Sequence, residues 1–491
     1  MAIHFITILG TSNYEPVSYD GEDVTPFVQI ALLKKFHKDL SEPDSRISIF
    51  VTQGAKKQNC GCRPYSDREI ELSGKWPSGV RPKSGDEKEG LDVLLKKEES
   101  LVDLQDKIEF IDIPEGKSEA EIWEIFKALY DSIDPKDRII FDITHSFRSI
   151  PMLAITVLNY AKVTKECRLQ GIYYGAYEAA GETRTEDGFK QCPVFNLTLY
   201  NEILEWSNAA DMLIHDGNPK AMSDILQHKI SKEKSVTHQA SALDPLKKYV
   251  DSMSVLAQDL ETCRGASAAT VKEKPGRQDK EISRKSIQAA ASVVHAQREQ
   301  LAATNSMIEP LQELLNKAEE SYAVFDKEEN YELGLAAVQW YIDKDMTQQG
   351  LTALEETAKT YLCKYYSLNQ SERASRDGIA GRAINDIAYM KDYSEKGRRI
   401  QLLKELENIK KDKFNDTEKK YMLDHYPEVF IDLPYEYADL VRQIKDCRND
   451  INHFGMRKSA LPSDKIHKQL ENLYKALIKS IGLMEAARTR K

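Results

Sequence analysis

Residues 3–199 alternate between short runs rich in β-branched residues and longer stretches with helical periodicity, and this alternation restricts the fold more than any other feature. Strands are predicted at Ile3–Leu9, Ile47–Thr52, Lys107–Ile113, Arg138–Ile143, Leu169–Tyr177 and Val194–Leu199. Between them, Thr25 and Pro26 are suited to open a helix through Leu40. Strands that alternate with helices in this way predict a Rossmann-like, doubly wound α/β fold with central parallel strands.

Polar loops follow the first and the fourth predicted strands. Gly10–Asn13 offers small polar side chains and backbone N–H groups, and Thr144–Arg148 combines hydroxyls, an imidazole, a guanidinium and a helix N-terminus. Doubly wound sheets bind ligands beyond the carboxyl ends of their strands, and the second loop suits a phosphate. Thr144 and His145 can also be explained as caps of the helix that follows. No G-x-G-x-x-G motif follows the first strand, which argues against NAD, and a P-loop motif is absent.

Residues 53–90 are polar, basic in places and rich in turn-forming residues, so a long loop or excursion is expected there. Cys60 and Cys62 lie in it without a second pair of zinc-type ligands nearby, which favours two free thiols. The seven scattered cysteines indicate a reducing cytoplasm. No apolar run approaches the roughly 20 residues that span a bilayer, and the N-terminus reads as a strand rather than as a leader. A cytoplasmic protein without membrane contact is therefore expected.

Strand patterns fade after Tyr200, and helices dominate the rest of the chain. Residues 265–284 are small, polar and charged, and they are the best candidate for a linker. Three parts are therefore predicted: an α/β domain at 1–205, a helical connecting region at 206–325, and a compact all-α bundle at 326–491.

One helix of that bundle carries the side chains of a candidate catalytic site. Leu440, Ile444, Cys447 and Ile451 form the apolar stripe of a buried helix, and Gly455 is suited to end it in the left-handed conformation. Basic residues follow this helix and could hold an RNA backbone, although a solvated charged face is the simpler interpretation: Arg457, Lys458, Lys465 and Lys468.

Arg448, Asn449 and His453 lie near the end of this helix. They supply a permanent cation, an amide and a base that titrates near neutrality, which are the side chains needed to cleave RNA without a metal. Asn449 and His453 share a face, whereas Arg448 lies about 100° away around the helix. One helix therefore makes an incomplete site, and two such helices across a dimer can complete one. Considered alone, the Arg-x4-His spacing also fits a helix-end arginine and a capping histidine.

The two halves together resemble the CRISPR-associated ribonucleases of type III systems, which join a CARF sensor domain to a HEPN effector domain. Three matches carry the resemblance: the Gly10–Asn13 loop, the D-x-T-H motif at Asp142–His145, and the R-x4-H motif at Arg448–His453. Ser146 stands where many relatives have glycine after the histidine. Domain 1–205 then corresponds to the CARF domain, and the bundle at 326–491 to the HEPN domain.

This resemblance implies a homodimer, or a higher oligomer, that binds a cyclic tetra- or hexa-adenylate made by the type III effector complex. The ring would activate cleavage of single-stranded RNA to a 2′,3′-cyclic phosphate, without a metal or other cofactor. Arg448, Asn449 and His453 would be catalytic. The expected ligand-binding residues are Gly10, Thr11, Ser12, Asn13, Gln53, Thr144, His145, Ser146 and Arg148.

Two alternatives remain open from the sequence. The helices after Tyr200 could contain a DNA-binding module, which would make the protein a ligand-responsive transcription regulator. The net charge of −10 and the R-x4-H motif argue against that function. In the other alternative, the sensor domain also degrades its own cyclic ligand, using Thr11, Ser12 or His145.

Overall fold

The computed structural model describes residues 2–21, 24–144, 150–237, 241, 243–265, 287–302, 311–389, 399, 415–456 and 460–490. The chain divides into two compact units, Met1–Leu204 and Glu205–Lys491. The first is built on a sheet of mostly parallel strands with helices and the second is helical, which confirms the predicted fold class. The predicted linker at 265–284 lies outside the described residues except for Gly265.

The N-terminal unit is organised around a six-stranded sheet with the order β11-β9-β8-β1-β4-β7. The strands of this sheet are β1 (Ile3–Leu9), β4 (Arg46–Val51), β7 (Ile108–Asp112), β8 (Arg138–Asp142), β9 (Arg168–Gly175) and β11 (Val194–Asn196). Two small sheets are formed by β2 (Val17–Tyr19), β3 (Val24–Thr25) and β10 (Gln191–Cys192), and by β5 (Arg63–Pro64) with β6 (Glu87–Lys88).

The connections make the main sheet doubly wound. The pairs β8–β1, β1–β4, β4–β7 and β8–β9 are parallel, and β11 joins β9 in the antiparallel direction. The chain leaves β1 towards β4 and β7, then returns to the other side of β1 to form β8 and β9. The direction of winding therefore reverses between β1 and β8, which is where sheets of this kind bind ligands.

Both faces of the sheet are buried, as parallel strands require. Successive side chains of a strand point to opposite faces, and in β1 Ile3, Phe5 and Leu9 pack in one apolar core while Ile6 and Ile8 pack in the other. The helices of this unit are α1 (Val28–Lys35), α2 (His37–Leu40), α3 (Gln53–Ala55), α4 (Asp67–Leu72), α5 (Leu91–Lys97), α6 (Glu119–Ser132) and α7 (Ile150–Lys165). Helices α1 and α5 cover the first face, and α6 and α7 cover the second.

The predicted helix-capping role of Thr25 is wrong. Thr25 is part of β3, where it pairs with Val17, and α1 begins only at Val28 after Phe27. The Thr25 hydroxyl accepts a hydrogen bond from the backbone N–H of Phe27 at 3.2 Å. The tertiary pairing of β2 with β3 takes the backbone of Thr25 into a strand, and tertiary contacts of this kind override local helix signals.

Residues 53–90 fold into a structured excursion instead of the predicted long loop. Helix α3 continues into a π-helix at Lys56–Cys60, and β5 pairs with β6 to form a short ribbon. Helix α4 begins with a capping box between Ser66 and Glu69. These elements have two to six residues each, which is too short for hydrophobic periodicity to reveal them.

The C-terminal unit consists of helices, and α8 crosses from one unit into the other. Its helices are α8 (Thr198–Asp216), α9 (Lys220–Thr237), α10 (Asp244–Glu261), α11 (Ile287–Ala302), α12 (Gln312–Glu320), α13 (Asn330–Asp343), α14 (Thr347–Tyr365), α15 (Arg382–Ala388), α16 (Asp416–Asp432), α17 (Tyr435–Asn452) and α18 (Ser463–Arg488). Two apolar cores lie in this unit, and α13 contributes to both, with Tyr341 in one and Val338 in the other. Within the described residues, no helix is long and apolar enough to span a membrane.

Candidate functional site

A buried carboxylate lies at the reversal point of the sheet. Asp142, the last residue of β8, is 1% exposed and accepts a hydrogen bond of 2.7 Å from the hydroxyl of Thr7 in β1. Its other oxygen accepts from the backbone N–H and the hydroxyl of Thr144, at 3.0 and 2.5 Å. Asp142 thus joins the ends of the two central strands and fixes the turn that leaves β8. Burial raises the pKa of Asp142, while the donors on Thr144 and Thr7 oppose this rise.

Thr144 has a structural role at this turn. Besides donating to Asp142, its hydroxyl accepts a hydrogen bond of 2.8 Å from the backbone N–H of Gly175 at the end of β9. The Thr144 side chain therefore links the ends of neighbouring strands. The remaining residues predicted for this loop, His145, Ser146 and Arg148, lie outside the described residues.

The Gly10–Asn13 loop leaves β1 at the same edge of the sheet, and Thr11, Ser12 and Asn13 are exposed. Their position beyond a strand end makes their polar groups available to a ligand. The π-helix of the excursion fixes the backbone of this loop. Its residue Asn59 donates hydrogen bonds to the carbonyl oxygens of Gly10 and Ser12, each at 2.9 Å.

One further hydrogen bond joins the loop to the π-helix, and another holds the start of α3. Gln58 donates to the side-chain oxygen of Asn13 at 2.9 Å, and the backbone N–H of Gly54 donates to Glu115 at 2.8 Å. A Cβ at Gly54 would lie 3.2 Å from the methyl group of Thr11, so the backbone of α3 passes close to the Thr11 side chain. Gln53, also predicted to contact ligand, is exposed at the start of α3.

The second candidate site is in the helical unit, where Arg448 of α17 forms an ion pair with Glu355 of α14. The distance from Nη1 to Oε2 is 2.8 Å, and the two side chains are 24% and 3% exposed. Nη2 of Arg448 donates to the side-chain oxygen of Asn449 at 3.2 Å. Two of the three predicted catalytic side chains are therefore in contact, and the guanidinium is oriented by a carboxylate from another helix.

Glu355 belongs to a larger network of charges. Its Oε1 lies 2.9 Å from Nζ of Lys359, which is also 2.9 Å from Glu356, and Arg376 donates to Glu356 at 2.6 Å. Burial opposes the charge of Lys359, but Glu356 and Glu355 outweigh it and raise the pKa of this ammonium group. With Arg448, the network has three cations, each paired with at least one of two carboxylates, so it carries an excess of one positive charge.

His453 lies just beyond the helix that was predicted to contain it. Helix α17 ends at Asn452, and His453 is its C-cap, with its backbone N–H still bonded to the carbonyl of Asn449 at 3.0 Å. Phe454 and Gly455 both have a left-handed backbone, with φ of 56° and 64°. Gly455 therefore adopts the predicted conformation, but Phe454 is the first left-handed residue, at the position where glycine is usual.

This turn presents polar and aromatic groups to solvent. The imidazole of His453 is exposed, and Phe454 is 85% exposed. A left-handed backbone costs a non-glycine residue on the order of 1–2 kcal/mol. Strain of this kind is common at functional sites, where the surrounding structure has to maintain it.

Residues 4–178 match the CARF domain of the CRISPR system endoribonuclease Csx1. The match includes β1 to β9, and with them the Gly10–Asn13 loop and the turn at Asp142 and Thr144. The N-terminal unit contains a CARF domain. The predicted resemblance to CRISPR-associated proteins with a CARF domain is thereby confirmed, whereas the HEPN assignment of the helical unit stays a prediction.

A CRISPR-associated protein of Methanocaldococcus jannaschii is also similar to this chain. The two are 30% identical over 154 residues, which correspond to 30% of this chain and 22% of that protein. This chain therefore spans about a fifth of the length of this curated relative.

Replacing the buried Asp142 with asparagine is expected to change how the free energy of unfolding depends on pH. Because the pKa of Asp142 in the folded protein is above its ordinary 3.8, the folded state binds more protons than the unfolded chain over the interval between the two values. The free energy of unfolding of the parent, relative to the variant, should therefore decrease as the pH rises through this interval. Urea titrations of both proteins from about pH 4 to about pH 8 measure it. A difference that grows with pH would contradict the prediction.

Glu355 was missed by the sequence analysis, although a signal for it exists. Leu351, Glu355, Ala358 and Leu362 have the four-three-four spacing of a buried stripe, and one member is a carboxylate. A charged residue in such a stripe indicates a buried partner, because an isolated charge is costly to bury. The sequence does not reveal that this partner is Arg448, which is 93 residues away in the chain.

Proposed function

We propose that this protein is an endoribonuclease that a cyclic oligoadenylate activates in type III CRISPR defence. The ion pair between Glu355 and Arg448 carries the proposal, because it holds a permanent cation next to Asn449 and close in sequence to an exposed histidine. The surrounding network has an excess of one positive charge, which suits a phosphodiester substrate. The CARF domain supports a sensing function for the other unit, as in the Csx1 family.

The chemistry requires only protein side chains. His453 would remove the proton from the RNA 2′-OH and later return one to the leaving oxygen, which produces a 2′,3′-cyclic phosphate. Arg448 would stabilise the negative charge that develops on the phosphate, and Asn449 would orient Arg448 or the phosphate. His453 needs solvent access to reach a polymer, and its exposure at the end of α17 is consistent with that role.

A homodimer is part of the proposal. Each chain supplies one set of Arg448, Asn449 and His453, and two sets facing each other would place an acid and a base on both sides of one phosphodiester.

At the sensor, a ring that contacts the Gly10–Asn13 loops of both chains could stabilise one arrangement of the dimer. Activation requires that the ring binds this active arrangement more tightly than the resting one.

The test follows labelled single-stranded RNA and the ring in the same reaction. The protein is incubated with EDTA and with cyclic tetra-adenylate, cyclic hexa-adenylate, linear oligoadenylate or no activator. We expect RNA cleavage only with a cyclic activator, and products that end in a 2′,3′-cyclic phosphate by mass spectrometry. Loss of the ring without loss of RNA would instead support a sensor that degrades its ligand. If neither is consumed and the ring changes DNA binding in a mobility-shift assay, the protein is a transcription regulator.

A further inference from the structure

The excursion at residues 53–90 contains a buried ionic cluster. Glu69 is 5% exposed and accepts hydrogen bonds of 2.7 and 2.5 Å from the two terminal nitrogens of Arg63. Lys88, which is 4% exposed, donates to the same carboxylate at 2.9 Å. Loss of one partner from a buried ion pair is strongly destabilising, so these three side chains hold each other in a defined arrangement.

This cluster is connected to the ligand loop through Asn59. Lys88 donates to the Oδ1 atom of Asn59 at 3.3 Å, and Asn59 is fully buried. The Nδ2 atom of Asn59 uses its two hydrogens for the carbonyl oxygens of Gly10 and Ser12. A continuous series of hydrogen bonds thus runs from a buried carboxylate to the backbone of the loop.

The C-terminal end of the excursion also lies directly against the backbone at the end of the π-helix. A Cβ at Gly90, just after β6, would lie 2.4 Å from the carbonyl carbon and oxygen of Cys60, at the end of the π-helix. Any larger residue at position 90 would displace the π-helix that presents Asn59. Insertions of this type, with one extra residue in a helical turn, frequently occur at functional sites.

We propose that the excursion is a clamp on the Gly10–Asn13 loop, that Asn59 is its positioning residue, and that the clamp determines how tightly the CARF domain binds a cyclic oligoadenylate. The ligand class rests on the proposed function. A loop held in its binding conformation loses less conformational freedom when the ring binds, and this preorganisation increases affinity. Asn59 acts through the loop and need not touch the ring.

The test compares Asn59→Asp with the parent, both as full-length protein. Aspartate keeps the size of the side chain and a partner for Lys88, but it presents oxygen to the carbonyls of Gly10 and Ser12 in place of two donors. We expect the dissociation constant for the cyclic adenylate, measured by calorimetry, to rise roughly 10- to 100-fold. The rate of RNA cleavage at saturating ring should stay at the parent value. Lys75→Met, a charge removed from an exposed position of the same excursion, is the control and should leave the dissociation constant unchanged.

Two measurements separate this proposal from the proposed function. If the parent binds no cyclic adenylate, the proposed function fails. Amide hydrogen exchange of peptides covering residues 10–13 then still tests the clamp, since exchange should be faster in Asn59→Asp than in the parent and in Lys75→Met. The clamp is overturned if exchange in Asn59→Asp equals that in the parent, or if the parent binds the ring and Asn59→Asp has the same dissociation constant. A variant that loses affinity, maximal rate and thermal stability together also overturns it, because that pattern indicates general unfolding.

Discussion

Replacing His453 with alanine is expected to lower ring-activated RNA cleavage by about 10²–10⁴-fold, the usual contribution of a general acid–base group. The imidazole is exposed at the C-cap of α17, and its backbone, not its side chain, makes the bond that ends the helix. Its removal should therefore leave the helical unit folded and the affinity for the ring unchanged. Initial rates with labelled RNA at saturating cyclic adenylate measure the effect, and calorimetry measures ring binding.

His215→Ala is a matched control for this prediction. His215 is 72% exposed and pairs with Asp211, which is 73% exposed and lies one turn earlier on α8. Its replacement should change neither the cleavage rate nor the binding of the ring. If His453→Ala cleaves RNA as the parent does, His453 is not the acid–base group and the assignment of the ribonuclease site is wrong.

Replacing Glu355 with alanine is expected to lower the free energy of unfolding of the helical unit by about 3–5 kcal/mol, the usual cost of removing one partner from a buried ion pair. Glu355 is 3% exposed and pairs with both Arg448 and Lys359, the second of which also pairs with Glu356. RNA cleavage should decrease as well, by on the order of 10²-fold, because a cation displaced by about 1 Å no longer stabilises the transition state efficiently. Urea unfolding followed by circular dichroism gives the first quantity, and initial rates give the second.

Asp446→Ala on α17 separates the effect of burial from that of losing a carboxylate. Asp446 pairs with Arg442 at 2.9 Å but is 52% exposed, so its loss should cost only about 0.2–1 kcal/mol. A Glu355→Ala variant as stable as Asp446→Ala would show that the buried pair contributes little. In Glu355→Gln, an unchanged cleavage rate would show that the charge of Glu355 does not position Arg448.

The central strands of the sheet were predictable because they are buried on both faces. Ile3–Leu9 was located to the residue, since seven consecutive buried residues leave a continuous β-rich run in the sequence. The carboxyl ends of parallel strands lie at the same edge of a sheet, and this rule places the Gly10 and Thr144 turns together. The local sequence was therefore sufficient to place the Gly10–Asn13 loop at this edge of the sheet.

The excursion and the start of α1 were harder to predict for a common reason. Elements of two or three residues, such as β3 and β5, have no periodicity of their own and form only because a partner strand is present. Thr25 has a good local signal for a helix cap, but pairing with Val17 determines its conformation. Local preferences of this kind are weak compared with tertiary contacts.

By itself, the sequence determined the α/β and helical halves, the two loops at the sheet edge, and the helix that carries Arg448 and Asn449. Those features depend on patterns within about 20 residues of each other, which hydrophobic periodicity records. Only the tertiary structure decided that Glu355 pairs with Arg448 and that Asn59 holds the Gly10 loop. Both contacts join residues far apart in the chain, and the partner of a buried polar group is chosen by the fold that brings the two together.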